Sequence, residues 1–374
     1  MKYQLERSIQ TFVTDFLKEK IVLLSGPRQV GKTYLSKKLR DDFIYLNYDN
    51  DELRREIKEK SWSRDTDLII LDELHKMNNW KQWLKGIYDV EGIRPQILVT
   101  GSARMDTFRK TGDSLAGRHY LLHLLPLSVN EVSLEHTKEV VDLFLKLGQF
   151  PEPFLKGEET KARLWRKSHL DIIIRQDLLD LEHVKSIRGI ENLIVLLSQR
   201  VGGGISYANL ARDLAVSPPT VKSWIDILES LFVIYSIRPY SRSFAKSILR
   251  EPKIYFYDIG KVKDPGQRLE NLVANHLLKK VMFMNDTLGL KYELMYFRDT
   301  EKREVDFVLT EDSNVVQLLE VKHSDDVPTL ALRYLKKSLG LSEAFQIVYQ
   351  LKREREVDGI KVLHLDKFLA SLET

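Results

Sequence analysis

The stretch Gly26-Pro27-Arg28-Gln29-Val30-Gly31-Lys32-Thr33 constrains this chain more than any other, because its spacing is that of a loop that wraps an anion. Glycine stands at both ends, where the backbone must curl tightly and a side chain at Gly31 would block a phosphate. Successive amide N–H groups then face the anion. Lys32 is placed to reach β- and γ-phosphates, and the Thr33 hydroxyl to ligate Mg²⁺. The apolar run Ile21–Ser25 before the loop predicts a strand, and Tyr34 to Leu39 after it is helix-compatible. That context favours a nucleotide site over an ordinary glycine turn, with ATP and Mg²⁺ as the expected ligands.

With 374 residues the chain exceeds one core of ordinary size, and two or three domains are expected. Lys plus Arg number 58 against 54 Asp plus Glu, so the net charge of +4 neither demands nor excludes a nucleic-acid partner. There is no cysteine, which removes disulfides and thiolate metal sites and suits a reducing compartment. Met1 to Lys20 mixes charged with apolar residues and has neither a signal-peptide core nor a membrane span, so a soluble, cytoplasmic protein with no membrane partner is expected.

Leu5 to Leu17 carries a helical apolar stripe; Phe43–Tyr48 predicts a second strand and Asp51–Lys60 a charged surface helix. Asp67-Leu68-Ile69-Ile70-Leu71-Asp72-Glu73 is a continuous apolar strand ending in two carboxylates, as in the buried middle of a parallel sheet. Asp72 would hold Mg²⁺ through water, and Glu73 would polarise an attacking water. The strand Gln96–Ser102 ends in hydroxyls: Thr100 or Ser102 could sense the γ-phosphate, with Ser102 preferred, although an N-cap for the next helix is an equal reading. A turn, Thr111 to Arg118, leads into a fifth strand, His119 to Leu127, which puts Arg118 on the rim of the sheet.

Taken in order, the loop, LIILDELHKMNNW, TGSAR, SLAGR, PLSVNEV, GQFPEPF and the IIIRQDLLDL run resemble the AAA-type ATPases of archaea and bacteria whose C-terminal part is a domain of unknown function. The resemblance implies a homo-oligomer, a hexameric ring for example, with nucleotide at subunit interfaces and Arg118 as an arginine finger. A surface pair between Arg118 and Asp113 is the alternative.

Val129–Leu147 and Thr160–Leu181 have helical spacing and suggest a lid and connector. Gly202-Gly203-Gly204 breaks the chain, and Ser206–Leu214 followed by Ser217–Ile225 reads as helix-turn-helix, with Ser217 as N-cap and Pro218 at the first helical position. A following strand, Phe232–Arg238, would complete a winged helix. Lys222 on its second helix favours DNA, whereas Asp226 and Glu229 favour packing against protein.

Farther on, a helix carrying Glu270 precedes strands at Leu290–Arg298, Glu304–Leu309 and Val315–Lys322, then a helix and a strand at Tyr334–Gly340 and Ala344–Tyr349. Glu320 and Lys322 share one strand face, and Asp306 lies on the neighbouring strand. This constellation is similar to the PD-(D/E)XK nucleases, although Val305 stands where their motif has proline. The resemblance implies that Asp306 and Glu320 bind Mg²⁺ or Mn²⁺, that Lys322 orients water, that Glu270 assists, and that duplex or branched DNA is cut. A module that keeps the fold without the chemistry is the alternative.

The expectation is thus an α/β chain: a parallel-sheet P-loop AAA ATPase core over 1–130, a helical lid over 131–200, a winged helix-turn-helix over 201–250 and a nuclease-like α/β domain over 251–374. A non-catalytic nucleotide switch is the competing expectation.

Overall fold

The computed structural model describes residues 3–102, 115–133, 136–177, 186–241 and 251–372. Its backbone divides into two compact units, one made of Glu6–Leu125 with Ser230–Phe232 and one of Met1–Leu5, Pro126–Glu229 and Val233–Thr374.

The first unit is built on five parallel strands in the order Phe43–Asn47, Leu68–Asp72, Gln96–Gly101, Ile21–Ser25, His119–His123. Every residue of Ile21–Ser25 and Leu68–Asp72 is buried, which explains why those runs are apolar without alternation. Ile69, Leu71 and Val99 pack with Trp62, Trp80, Leu84 and Ile87 in the core on one face. Because Ile21–Ser25 lies between a later strand on each side, the loop leaving it opens at the point where the strand order reverses, the usual ligand crevice of such sheets. The fifth strand stops at His123, short of Leu127. Leu124 N–H turns back to Ser25 O at 2.8 Å, and Pro126 has no N–H to continue the ladder.

In the second unit eight strands form a mixed sheet in the order Arg355–Val357, Ile360–His364, Ala344–Val348, Asn314–Lys322, Glu304–Glu311, Tyr292–Arg298, Ile234–Pro239, Lys253–Phe256. The helices Tyr207–Asp213 and Pro218–Ser230 stand at the expected helix-turn-helix spacing. The strand after them, Ile234–Pro239, pairs with Tyr292–Arg298, so it shares a sheet with the C-terminal strands. The long helix Pro265–Leu288 starts where Asp264 accepts Gln267 N–H at 2.8 Å and Pro265 fills a position that needs no donor.

Two helical expectations are shortened. The apolar stripe at the start gives a helix only over Gln10–Phe16, because Gln4–Leu5 pairs with Val132–Ser133. That pairing also breaks Val129–Leu147: Val129–Glu131 is a single 3₁₀ turn and the helix proper is Thr137–Leu147. The helix from Glu159 runs to Ile172 and continues as a wider turn over Ile173–Asp177. Leu178 and Leu181 lie outside the described residues, as does Asp113.

Candidate functional site

The loop from Gly26 to Thr33 takes the curled path its glycines permit. A Cβ on Gly26 would lie 2.1 Å from Leu124 O, so no other residue fits there without moving backbone. Gly31 has φ +102° immediately before the helix Lys32–Lys37, and Gln29 also has positive φ, at +59°. Pro27 and Val30 are buried, and Arg28 is half-buried. Lys32 is 6% exposed, and its ammonium donates to Gly26 O at 2.8 Å and Pro27 O at 2.7 Å. It is folded onto its own loop.

Asp72 ends its strand buried, with three hydroxyls on its carboxylate. Thr33 Oγ1 donates to Oδ2 at 3.0 Å, Tyr45 OH donates to the same oxygen at 2.6 Å, and Thr100 Oγ1 donates to Oδ1. Burial, then the Asp72 carboxylate, pushes the Tyr45 phenol well above its ordinary value. Glu73 adopts φ +56°, with its N–H bonded to Thr100 O at 2.9 Å. Its Oε2 accepts Ser102 Oγ at 3.1 Å and lies 3.6 Å from His75 Nε2. Burial raises the Glu73 pKa, while Lys32 pulls it back down. Lys32, Thr33, Asp72, Glu73 and Ser102 therefore converge. Arg118 lies elsewhere: its guanidinium pairs with Asp89 at 2.6 Å on the surface.

The close backbone approach at Gly26 and the hydrogen bond between Thr33 and Asp72 fit a nucleoside triphosphate with Mg²⁺.

A second cluster gathers Glu270, Glu304, Asp306, Glu320 and Lys322. Asp306 Oδ2 accepts Val321 N–H at 2.9 Å, and the pairing of Phe307 with Leu319 puts Asp306 and Glu320 side by side on adjacent strands. Lys322 Nζ donates to Glu320 Oε1 at 2.8 Å, while Glu320 Oε2 is buried with no hydrogen-bond partner. Burial, then Asp306, pushes Glu320 up to about 8 and Glu270 up to about 7, and burial also raises Asp306. Buried Lys253, which the sequence reading left out, stands between Glu270 and Glu304. Among the described residues no three His, Cys, Asp or Glu side chains are grouped so as to hold a metal ion. As they stand, the acids of this cluster do not fit a divalent cation.

Comparison with known families bears on the part of the chain that carries the first site. Residues 18–133 match the family described as "AAA domain". This part of the chain is a P-loop AAA-type ATPase domain. Residues 139–263 and 265–368 match two domains of unknown function, DUF8612 and DUF4143. Relatives of the whole chain include an uncharacterized protein of Haemophilus influenzae, 22% identical over 98% of this chain and 97% of that one. An uncharacterized protein of Methanocaldococcus jannaschii is 24% identical over 80% of this chain and 74% of its own. Against an uncharacterized protein of Mycobacterium tuberculosis, 28% identical over 64% of this chain, the match spans 54% of the relative, about half its length. Among solved structures, a STAND ATPase with a tetratricopeptide repeat sensor from Pyrococcus horikoshii aligns over 77% of this chain and 48% of its own, at 11% identity and a TM-score of 0.24. PCH-2 of C. elegans aligns over 60% and 66%, at 12% identity and a TM-score of 0.23. Scores of that size bear on neither fold nor function.

Within the AAA domain the sequence reading missed Tyr45. Its signal was there: Tyr45 and Asn47 share a strand face at the carboxyl end, and Asn47 Nδ2 donates to the Tyr45 hydroxyl at 3.3 Å. Thr100, weighed against Ser102, holds Asp72, whereas Ser102 holds Glu73. No helix among the described residues is long and apolar enough to cross a membrane.

Proposed function

We propose that the AAA domain hydrolyses ATP with Mg²⁺ at the site formed by Gly26–Thr33, Asp72 and Glu73. The observation that carries this reading is the hydrogen bond from Thr33 to Asp72, 3.0 Å across two elements 39 residues apart. It joins the two groups that would share the ion. Bound Mg²⁺ supplies charge neutralisation on the β- and γ-phosphates. The chain's own residues do the rest. Lys32 turns from its loop carbonyls to the phosphates, and Glu73, oriented by Ser102, takes up the proton of the attacking water. Phosphate release by the full chain, with Mg²⁺ and with chelator, tests the proposal beside Lys32→Ala. Turnover that needs both Mg²⁺ and Lys32 supports it; no turnover, or turnover unchanged in the variant, refutes it.

The turnover is proposed to act on DNA. Exposed Lys222 on the second helix of the helix-turn-helix pair supports contact, while exposed Asp226 on that helix supports the competing reading, a nucleotide switch that presents a protein surface. DNA that accelerates turnover, with a steep salt dependence, separates the two. Arg118 acting across a ring interface is proposed together with it. Mass in solution with a slowly hydrolysed ATP analogue decides that part, and a strict monomer refutes it. A metal-dependent nuclease at Asp306, Glu320 and Lys322 is the reading that this structure opposes, because Lys253 lies against the acids and they do not fit a divalent cation as they stand; the Glu320 Oε2 without a hydrogen-bond partner is the one observation in its favour. DNA cleavage in Mg²⁺ or Mn²⁺, beside Asp306→Ala, tests it.

A further inference from the structure

Lys253 opens the strand Lys253–Phe256 and is 1% exposed, an unusual place for an ammonium. Its Nζ lies 2.6 Å from Glu304 Oε1 and 3.5 Å from Glu270 Oε1, and 5.2 Å from the centre of the Tyr296 ring. The Nζ thus sits in ion-pair range of two acidic side chains and over the face of an aromatic ring, surroundings that favour a cation.

Glu270 is fixed toward it from two sides. Tyr255 OH donates to Glu270 Oε1 at 2.7 Å, and Gly202, at φ +73°, comes so close that a Cβ there would lie 2.7 Å from both carboxylate oxygens. The glycine run therefore does more than break the chain: it lets backbone lie against a carboxylate. Across the cluster, Glu320 is 5% exposed and its Oε2 is unpartnered, while Lys322 occupies its Oε1. Four carboxylates thus face two ammoniums.

A magnesium-sized ion needs about six oxygen ligands in a near-octahedral shell. Here the Oε1 atoms of Glu270 and Glu304 already lie against an ammonium, which would repel a second cation. We infer that Lys253 is the built-in cation of this acidic cluster, holding with its ammonium the place a divalent ion would otherwise take, so that Glu270, Glu304, Asp306 and Glu320 form a divalent-cation site only when that ammonium is removed. Glu320 lies in the same acidic cluster with only one of its two oxygens, Oε1, held by an ammonium, that of Lys322. The inference does not rest on ATP hydrolysis, and metal-dependent DNA cleavage that needs Asp306 would contradict it.

The test is Mn²⁺ titration of the nucleotide-free full chain, followed by electron paramagnetic resonance, which counts bound ions without any activity. Wild type, Lys253→Met, Lys253→Arg and the double variant Lys253→Met with Asp306→Asn are compared, so that any ion held elsewhere is common to all. Lys253→Met is expected to gain one bound Mn²⁺ per chain, at least tenfold tighter than anything wild type shows there. The gain should vanish in the double variant and be absent in Lys253→Arg. A folded Lys253→Met that gains no ion overturns the inference. Where Lys253→Met fails to fold, wild type against Asp306→Asn decides: equal Mn²⁺ binding supports the inference, and a site present in wild type but lost in Asp306→Asn overturns it.

Discussion

The AAA site and the C-terminal acidic cluster both gather acidic side chains beside a sheet, and they compensate the charge by different means. Around Asp72 the donors are neutral hydroxyls, from Thr33, Tyr45 and Thr100, while the loop's own ammonium, Lys32, is turned onto loop carbonyls. Around Glu270 and Glu304 the compensation is a buried ammonium in direct ion pairing. A hydroxyl bond can be traded for water or a ligand at a net cost of about 1 kcal/mol. Withdrawing one partner of a buried ion pair costs about 3–5 kcal/mol, because the other charge is left uncompensated. The first arrangement is built for exchange, the second for permanence.

That contrast is broken or sharpened by variants of unequal expected size. Lys253→Met should lower folding stability by about 3 kcal/mol in urea melts, at the low end for a buried pair because the two partners, Glu270 and Glu304, are only partly buried. A loss no greater than that of a surface lysine would mean the two sites are compensated alike.

His276 supplies a third case, in which charge is withheld altogether. Its Nε2 accepts Val129 N–H at 3.2 Å, its Nδ1 meets Leu272 O at 2.8 Å, and Lys279 and Glu131 face it. Burial, with Lys279 adding to it, drops its pKa to about 4 from the ordinary 6.5, against the opposing pull of Leu272 O and Glu131. A histidine with a depressed folded value binds protons more readily when unfolded, so its contribution is fully present above pH 6.5 and is lost as pH falls toward 4. That contribution amounts to about 3 kcal/mol. Urea melts at pH 7 and pH 4.5 should show a steeper acid loss in wild type than in His276→Gln; equal slopes would mean the imidazole is not held neutral.

Tyr45→Phe should have the smallest effect, raising the Mg²⁺ needed for half-maximal turnover a few-fold, about 1 kcal/mol, with kcat at saturating Mg²⁺ nearly kept. An effect on kcat alone would place the hydroxyl in the chemistry and not in holding Asp72.

What could be read in the sequence follows the same division. The loop and the carboxylate-ended strand were legible because phosphate chemistry fixes residue types at fixed spacing, and because strands buried on both faces are uniformly apolar. Ser102 and Thr100 were visible at the end of their strand, but which carboxylate each would meet depends on sheet order. Lys253 was not legible: it stands 17 residues before Glu270 and 51 before Glu304, and only the packing of the helix Pro265–Leu288 on the folded sheet brings the three together. The helix expected from Val129 failed for a similar reason. Its apolar spacing was helical, but Val132–Ser133 found a strand partner in Gln4–Leu5, more than 120 residues away.

ATP turnover and ATP binding measured together on Glu73→Gln probe the exchangeable site at its chemical step. Ser102 would still orient the amide while the proton acceptor is gone. The expected result is Mg²⁺-dependent turnover in wild type that falls by about 10²–10⁴ in the variant, with the dissociation constant for ATP within a few-fold of wild type. Turnover that survives in Glu73→Gln, or binding lost in step with it, would contradict the assignment of Glu73 as the base of an ATP hydrolase.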